Sequence, residues 1–120
     1  MESGFKLKAV AAQPEGPSNA LDPLMGETRL SRALGISQDE VDVRLASLDR
    51  IEARIRKYSL SMDMKTKTIV HDCGDWERTL ETRQFCKHVG RVLLSIPENI
   101  ALAWVTEVRD DSDSWSFQKP

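Results

Sequence analysis

HDCGDWERTLETRQFCKH, residues 71–88, contains every cysteine and every histidine of the 120-residue chain. They form two pairs, His71 with Cys73 and Cys86 with His88. The members of each pair are two positions apart, and twelve residues separate the pairs. Thiolate sulfur and imidazole nitrogen are ligands that zinc prefers, and structural zinc sites use four of them. The stretch therefore predicts one structural Zn²⁺ held by His71, Cys73, Cys86 and His88.

Two other interpretations of these four residues are weaker. A single disulfide between the cysteines would leave both histidines without a role, and an intracellular setting keeps thiols reduced. A lone cysteine is often a buried apolar group, and a lone histidine is often an ordinary core or surface residue. Neither interpretation explains why all four lie within eighteen consecutive positions.

The composition is that of a small protein with a slight excess of acidic over basic side chains. The formal net charge of −2 and the pI of about 5.7 argue against a chain that coats nucleic acid through bulk charge. Residues 50–91 nevertheless carry ten basic and six acidic side chains, so the candidate metal region is net positive. The sequence has no apolar run near 18 residues and no apolar leader, which predicts a soluble, cytoplasmic protein without a membrane partner.

The first half of the chain predicts helices. Residues 1–26 contain several Pro and Gly breakers and are expected to form a flexible lead-in. Residues 27–56 predict a helix pair, with the second helix running from about 38 to 56 after a capping box of Ser37 and Glu40. The segment also resembles a helix-turn-helix, but acidic side chains on its second helix disfavour contact with phosphates.

The second half predicts a zinc-bound ββα unit over residues 57–96, so that the whole is an α+β fold. Alternation over 58–64 indicates one strand, and Ile69 and Val70 begin a second that runs into the first ligand pair. Residues two apart on a strand face the same side, so His71 and Cys73 can hold one ion. The second pair is expected where a loop enters a helix. An amphipathic helix over 97–109 and a frayed acidic tail over 110–120 complete the prediction.

Three features resemble a SWIM zinc finger: the predicted hairpin, the C-x-D-W signature at Cys73, Asp75 and Trp76, and the run CKHVGRVLL from Cys86. The motif is similar to that of small archaeal members of the family. The usual family pattern is C-x-C followed by C-x-H, so His71 replaces a cysteine here but keeps a ligand set that zinc accepts. The resemblance covers roughly residues 55–96. It implies protein–protein interaction or DNA binding, and in one branch partnership with recombinase paralogues in DNA recombination.

Two residues of the signature are expected to support the ligands. Asp75 could hydrogen-bond a ligand imidazole from outside the ligand shell, or it could cap the turn after the hairpin. Trp76 is expected to pack over the zinc loop, because its large apolar surface is most stable when buried.

The predicted function is that of a non-enzymatic interaction module. Four nitrogen and sulfur ligands leave no open position for water, and no nucleotide-binding or nucleophile motif is present, so we predict no catalytic residues and no small-molecule substrate. A protein partner is expected, and the resemblance implies an accessory factor for a recombinase-like ATPase. The alternative is direct, weakly sequence-specific DNA binding. Its candidate contacts are four basic residues near the ligands: Arg78, Arg83, Lys87 and Arg91.

Overall fold

The computed structural model describes residues 17–120 and shows a mixed α and β fold. The helices are α1 (Pro17–Met25), α2 (Glu27–Leu34), α3 (Trp76–Thr79), α4 (Lys87–Leu93) and α5 (Glu98–Asp110). The strands are β1 (Val41–Ala46), β2 (Arg50–Ile55), β3 (Tyr58–Asp63), β4 (Thr68–His71) and β5 (Ser116–Gln118). Single 3-10 turns occupy Gln38–Glu40, Leu80–Thr82 and Ser112–Ser114.

The five strands form one sheet in the order in which they occur along the chain. The first four are antiparallel neighbours, and β5 joins β4 in parallel. Alternate residues of the sheet are buried: in β2 these are Ile51, Ala53 and Ile55, and Ile69 of β4 lies beside Phe117 of β5. Because strand side chains alternate between faces, this pattern gives the sheet one apolar face and one polar face.

Helices α4 and α5 supply much of the remaining core. Val89, Val92 and Leu93 of α4 are fully buried, and so are Trp104 and Val108 of α5. Helix α1 packs on α5 and α2 packs on α4. The structure therefore confirms four predicted elements to within a few residues. They are the strands at 58–64 and from Ile69, and the helices after Cys86 and over 97–109.

The expected helix from about 38 to 56 is wrong, because this segment forms one 3-10 turn and the hairpin of β1 and β2. The spacing of its apolar residues fits both a helix and a strand. Ile51 and Ile55 are four apart, as on one face of a helix, but with Ala53 between them the apolar residues also alternate, as on one face of a strand. Pairing with β3 favours the strand, and Ser47 supports it locally, since its hydroxyl accepts the backbone N–H groups of Asp49 and Arg50 in the hairpin turn. The helix-turn-helix resemblance fails with the missing second helix.

The expected capping box also has a different role. Ser37 Oγ accepts the N–H of Asp39 at 3.3 Å, but the helix it begins is only one turn long. The Glu40 carboxylate instead binds Arg56 across the hairpin at 2.7 Å, which joins the start of β1 to the end of β2.

The lead-in predicted as flexible is helical where it is described. Residues 1–16 lie outside the described residues, but α1 buries Leu21, Leu24 and Met25. A Cβ atom at Gly90 would lie 2.5 Å from the sulfur of Met25, so the end of this α1 side chain packs directly against α4 at the glycine.

The tail predicted as frayed is part of the core. Trp115 is buried with its ring 6.0 Å from that of Trp104, and Phe117 stacks on Trp76. The acidic residues that made the tail look solvated lie in the connection before Trp115, where Asp111 pairs with Lys67. The alternation of Trp115 and Phe117 with polar residues was a strand signal too short to be distinguished from a loop.

We expect Trp115→Ala to lower the free energy of unfolding by about 3–5 kcal/mol, as for other buried tryptophans. Gln118→Ala, which truncates an exposed side chain of β5, should change it by less than about 0.5 kcal/mol. Urea unfolding of the metal-loaded protein measures both values. Equal stability of the two variants would show that the tail does not belong to the core.

Candidate metal centre

The structure brings the four predicted ligands together in one buried cluster. His71 is the last residue of β4 and Cys73 follows two positions later, while Cys86 directly precedes α4 and His88 lies in its first turn. The candidate ligand atoms all lie within 4.8 Å of one another. The cluster therefore joins the end of the sheet to the start of α4, and the group can hold a metal ion.

The distance between the two sulfur atoms suits a small tetrahedral ion. The sulfur atoms of Cys73 and Cys86 are 3.6 Å apart. Two sulfurs each about 2.3 Å from one ion at a tetrahedral angle would be about 3.8 Å apart. The two thiols are free rather than joined in a disulfide. The sulfur pair is thus already spaced as a tetrahedral ion requires.

The histidine nitrogens supply a second, independent sign of a missing partner. His71 Nε2 and both ring nitrogens of His88 are buried, and within residues 17–120 they have no hydrogen-bond partner. Leaving a buried polar group unpaired costs about 1–3 kcal/mol, so three such atoms in one place call for a ligand. A metal ion would satisfy one nitrogen of each ring.

His71 is oriented from outside the cluster by the backbone of β3. Its Nδ1 lies 2.5 Å from the carbonyl oxygen of Ser59, so in the neutral ring Nδ1 donates and Nε2 is left as the metal-binding nitrogen. This contact follows from the pairing of β3 with β4, in which Leu60 lies opposite His71. Sequence reasoning missed Ser59 because a backbone carbonyl leaves no mark on residue type.

The two thiols influence one another's protonation. The pKa of Cys73 is lowered, because its sulfur shares a hydrogen bond with that of Cys86 and because both imidazoles lie close to it. Burial raises the pKa of Cys86 well above its usual range. A cysteine binds a metal ion as the deprotonated thiolate, so binding of an ion requires Cys86 to release its proton.

Aromatic rings cover the cluster on two sides. Trp76 presents its edge to His71 at a ring-centre distance of 5.7 Å and donates its indole N–H to the carbonyl of Gln118 at 2.8 Å. Tyr58, half-buried, lies 5.0 Å from the ring of His88. Trp76 is fully buried, as expected, and its ring lies near those of His71 and Phe117. The rings limit the access of water to the ligands.

Neither role expected for Asp75 is found. Its carboxylate accepts two hydrogen bonds from Arg29, at 3.0 and 3.3 Å, and the imidazole of His71 is bound by the carbonyl of Ser59. Its side chain does not cap α3 either. Arg29 lies 46 residues earlier in the chain, and only the packing of α2 on α4 brings it here, so no local pattern could have indicated it.

The four basic residues predicted to contact nucleic acid have different surroundings. Arg78 and Lys87 line the same cavity beside the metal cluster. Arg83 instead donates to the backbone carbonyls of Ser112 and Trp115, and so holds the segment before β5. Arg91 is half-buried, and its Nε is buried without a partner. DNA binding by these residues stays a prediction.

Comparison of the chain with protein-family models, with curated proteins and with solved structures gave no match. Across residues 17–120, no helix is both long and apolar enough to cross a membrane.

We expect the purified chain to hold one equivalent of metal, and Cys73→Ser and Cys86→Ser each to lose most of it, because a serine hydroxyl is a poor substitute for a thiolate ligand. The matched control is Asp72→Asn. Asp72 lies between two ligands but is exposed, and an asparagine can still accept the hydrogen bond that Asp72 takes from the N–H of Ser59. Elemental analysis gives the metal content of each variant. Full metal content in both serine variants would rule out the cluster as the binding site.

Proposed function

We propose that the chain is a non-enzymatic interaction module whose fold is stabilised by one structural Zn²⁺ bound to His71, Cys73, Cys86 and His88. The single observation that carries this proposal is the buried cluster of two thiols and two imidazoles within 4.8 Å of one another. Two thiolates with two imidazoles form a ligand set that structural zinc sites commonly use.

The closed ligand set supports a structural rather than a catalytic role. Catalytic zinc sites use three protein ligands and keep the fourth position for water or substrate. Here four candidate ligands surround the centre, and all four residues are buried. With Ser59 and the aromatic rings around it, the cluster resembles the interior of a small domain more than an open active site.

Zinc has an energetic role in this proposal. The three unpaired histidine nitrogens and the buried thiols destabilise the fold when no ion is present. Metal binding converts this cost into a gain, and structural zinc contributes about 10 kcal/mol or more in small domains. The ion would join β4 to α4 across the twelve residues between Cys73 and Cys86.

The partner surface proposed here lies at the free edge of the sheet. Strand β1 is the first strand of the sheet and pairs on one side only, with β2, within the described part of the chain. Leu45 at the end of β1 and Leu48 in the turn that follows are 44% and 57% exposed. An edge strand with exposed leucines favours a protein partner, which can add a strand and cover the apolar side chains.

The resemblance to SWIM fingers extends the proposal to the identity of the partner, a recombinase-like ATPase in DNA recombination. Direct DNA binding is the second candidate function, and it is favoured by the placement of Arg78 and Lys87 beside one cavity. A formal net charge of −2 makes it the weaker candidate, because nucleic-acid binding draws its affinity from many cationic contacts.

The experiment is a pull-down of a purified recombinase paralogue by the zinc-loaded chain, with Leu45→Glu and Leu48→Glu combined in one variant. We expect that variant to keep its zinc and lose the partner, because two carboxylates would have to be buried at the contact. Thr106→Glu, on the exposed side of α5, is the control and should bind normally. No capture of the ATPase, together with DNA binding that weakens steeply as salt rises, would instead favour the second candidate.

A further inference from the structure

A small cavity next to the metal cluster is lined almost entirely by cations. Four basic side chains and one carboxylate surround about 160 Å³ of space, which gives the lining a net charge of +3. They come from separate elements: two from α2, two from the region of α3, and one from the first residue of α4. The lining residues are Arg29, Arg32, Asp75, Arg78 and Lys87.

Two of these cations have no carboxylate partner among the residues that the structure describes. Asp75 takes both hydrogen bonds from Arg29 and lies 3.8 Å from Arg78, which is 80% exposed. Within residues 17–120, neither Arg32 nor Lys87 pairs with an acidic side chain. Charge is therefore left over inside the cavity after its own carboxylate is neutralised.

The contact between Arg29 and Asp75 shows which chemistry the cavity can bind. A guanidinium that donates two parallel hydrogen bonds to a carboxylate has the geometry that it also uses for phosphate. The cavity volume of about 160 Å³ is several times the roughly 30 Å³ that one water molecule occupies in the liquid, so the cavity admits a phosphate group. A phosphate monoester carries a charge of about −1.5 to −2 at neutral pH, which the net positive lining complements.

The cavity is coupled to the metal cluster through its walls. Lys87 lies between the ligands Cys86 and His88, and Asp75 lies two residues after the ligand Cys73. Zn²⁺ with two thiolates and two neutral imidazoles has no net charge, so a filled centre would not repel an anion at its side. Loss of the ion would release the loop that carries Asp75 and Arg78.

The rest of the surface favours one isolated phosphate over the row of phosphates in a nucleic acid. A nucleic-acid strand needs several cations along a track. Most other basic side chains in the described part of the chain are already paired with carboxylates. The paired basic residues are Arg44, Arg50, Arg56, Lys67, Arg109 and Lys119. Arg83 is held by backbone carbonyls.

We propose that this cavity binds the phosphate of a phosphorylated serine or threonine on the protein partner, so that the module recognises its partner in a phosphorylation-dependent way. This inference rests on the proposed interaction function and adds a second site to it. Arg32 and Lys87 contact the phosphate, and Asp75 positions Arg29 and Arg78 at its edge. Clusters of arginine are a recurring means of reading phosphorylated peptides.

The test uses the full zinc-loaded chain and three probes: N-acetyl-O-phosphoserine amide, its unphosphorylated counterpart and a dodecamer of thymidylate. Backbone amide shifts in NMR report the affinity and the residues affected. We expect only the phosphorylated amino acid to shift Arg32 and Lys87, and Arg32→Glu to weaken its binding about tenfold or more. Lys65→Glu makes the same charge change at an exposed position in the turn between β3 and β4, and should leave the affinity unchanged.

Equal phosphoserine affinity in Arg32→Glu and Lys65→Glu would overturn the proposal. Tighter binding of the thymidylate dodecamer through the same residues would overturn it in favour of nucleic acid. Zinc content measured on the same samples separates the two proposals. A zinc-loaded chain that ignores phosphoserine refutes the cavity alone, whereas a folded zinc-free chain that binds it through Arg32 supports the cavity and refutes the zinc-dependent module.

Discussion

The approach of His71 and Cys73 to Cys86 and His88 is the constraint on which the rest of the structure depends. It is made between the end of a strand and the start of a helix. This approach has a free-energy cost, because it buries ring nitrogens that have no hydrogen-bond partner among the described residues. Because buried polar atoms are almost always satisfied, a cluster of this kind is a place that could hold a metal ion.

The core is arranged around that cluster rather than beside it. Trp76, in the loop between the two ligand pairs, presents its edge to His71 and stacks on Phe117, so β5 closes the core against the same loop. The indole N–H of Trp76 reaches the carbonyl of Gln118. The far end of the chain thus helps to hold the segment that carries the ligands. This arrangement explains why a tail rich in polar residues is ordered and packed.

The sequence indicated which four residues come together, because cysteine and histidine are rare in this chain and their spacing is unusual. It also predicted β3, β4 and the helices after Cys86, whose periods are unambiguous. It failed from Gln38 to Ile55, where the apolar spacing fits both a helix and a strand and only pairing across the sheet decides between them. It failed again for Asp75, since Arg29 approaches it through tertiary packing alone.

The most direct measurement is urea unfolding of the chain with one equivalent of Zn²⁺ and after complete removal of metal by a chelator, followed by tryptophan fluorescence. Three tryptophans lie in the buried core, so their emission reports the packing around the cluster. The account predicts that removal of zinc abolishes the cooperative transition or lowers the free energy of unfolding by several kcal/mol, and that one equivalent restores it. An unchanged transition in the metal-free protein would contradict the account.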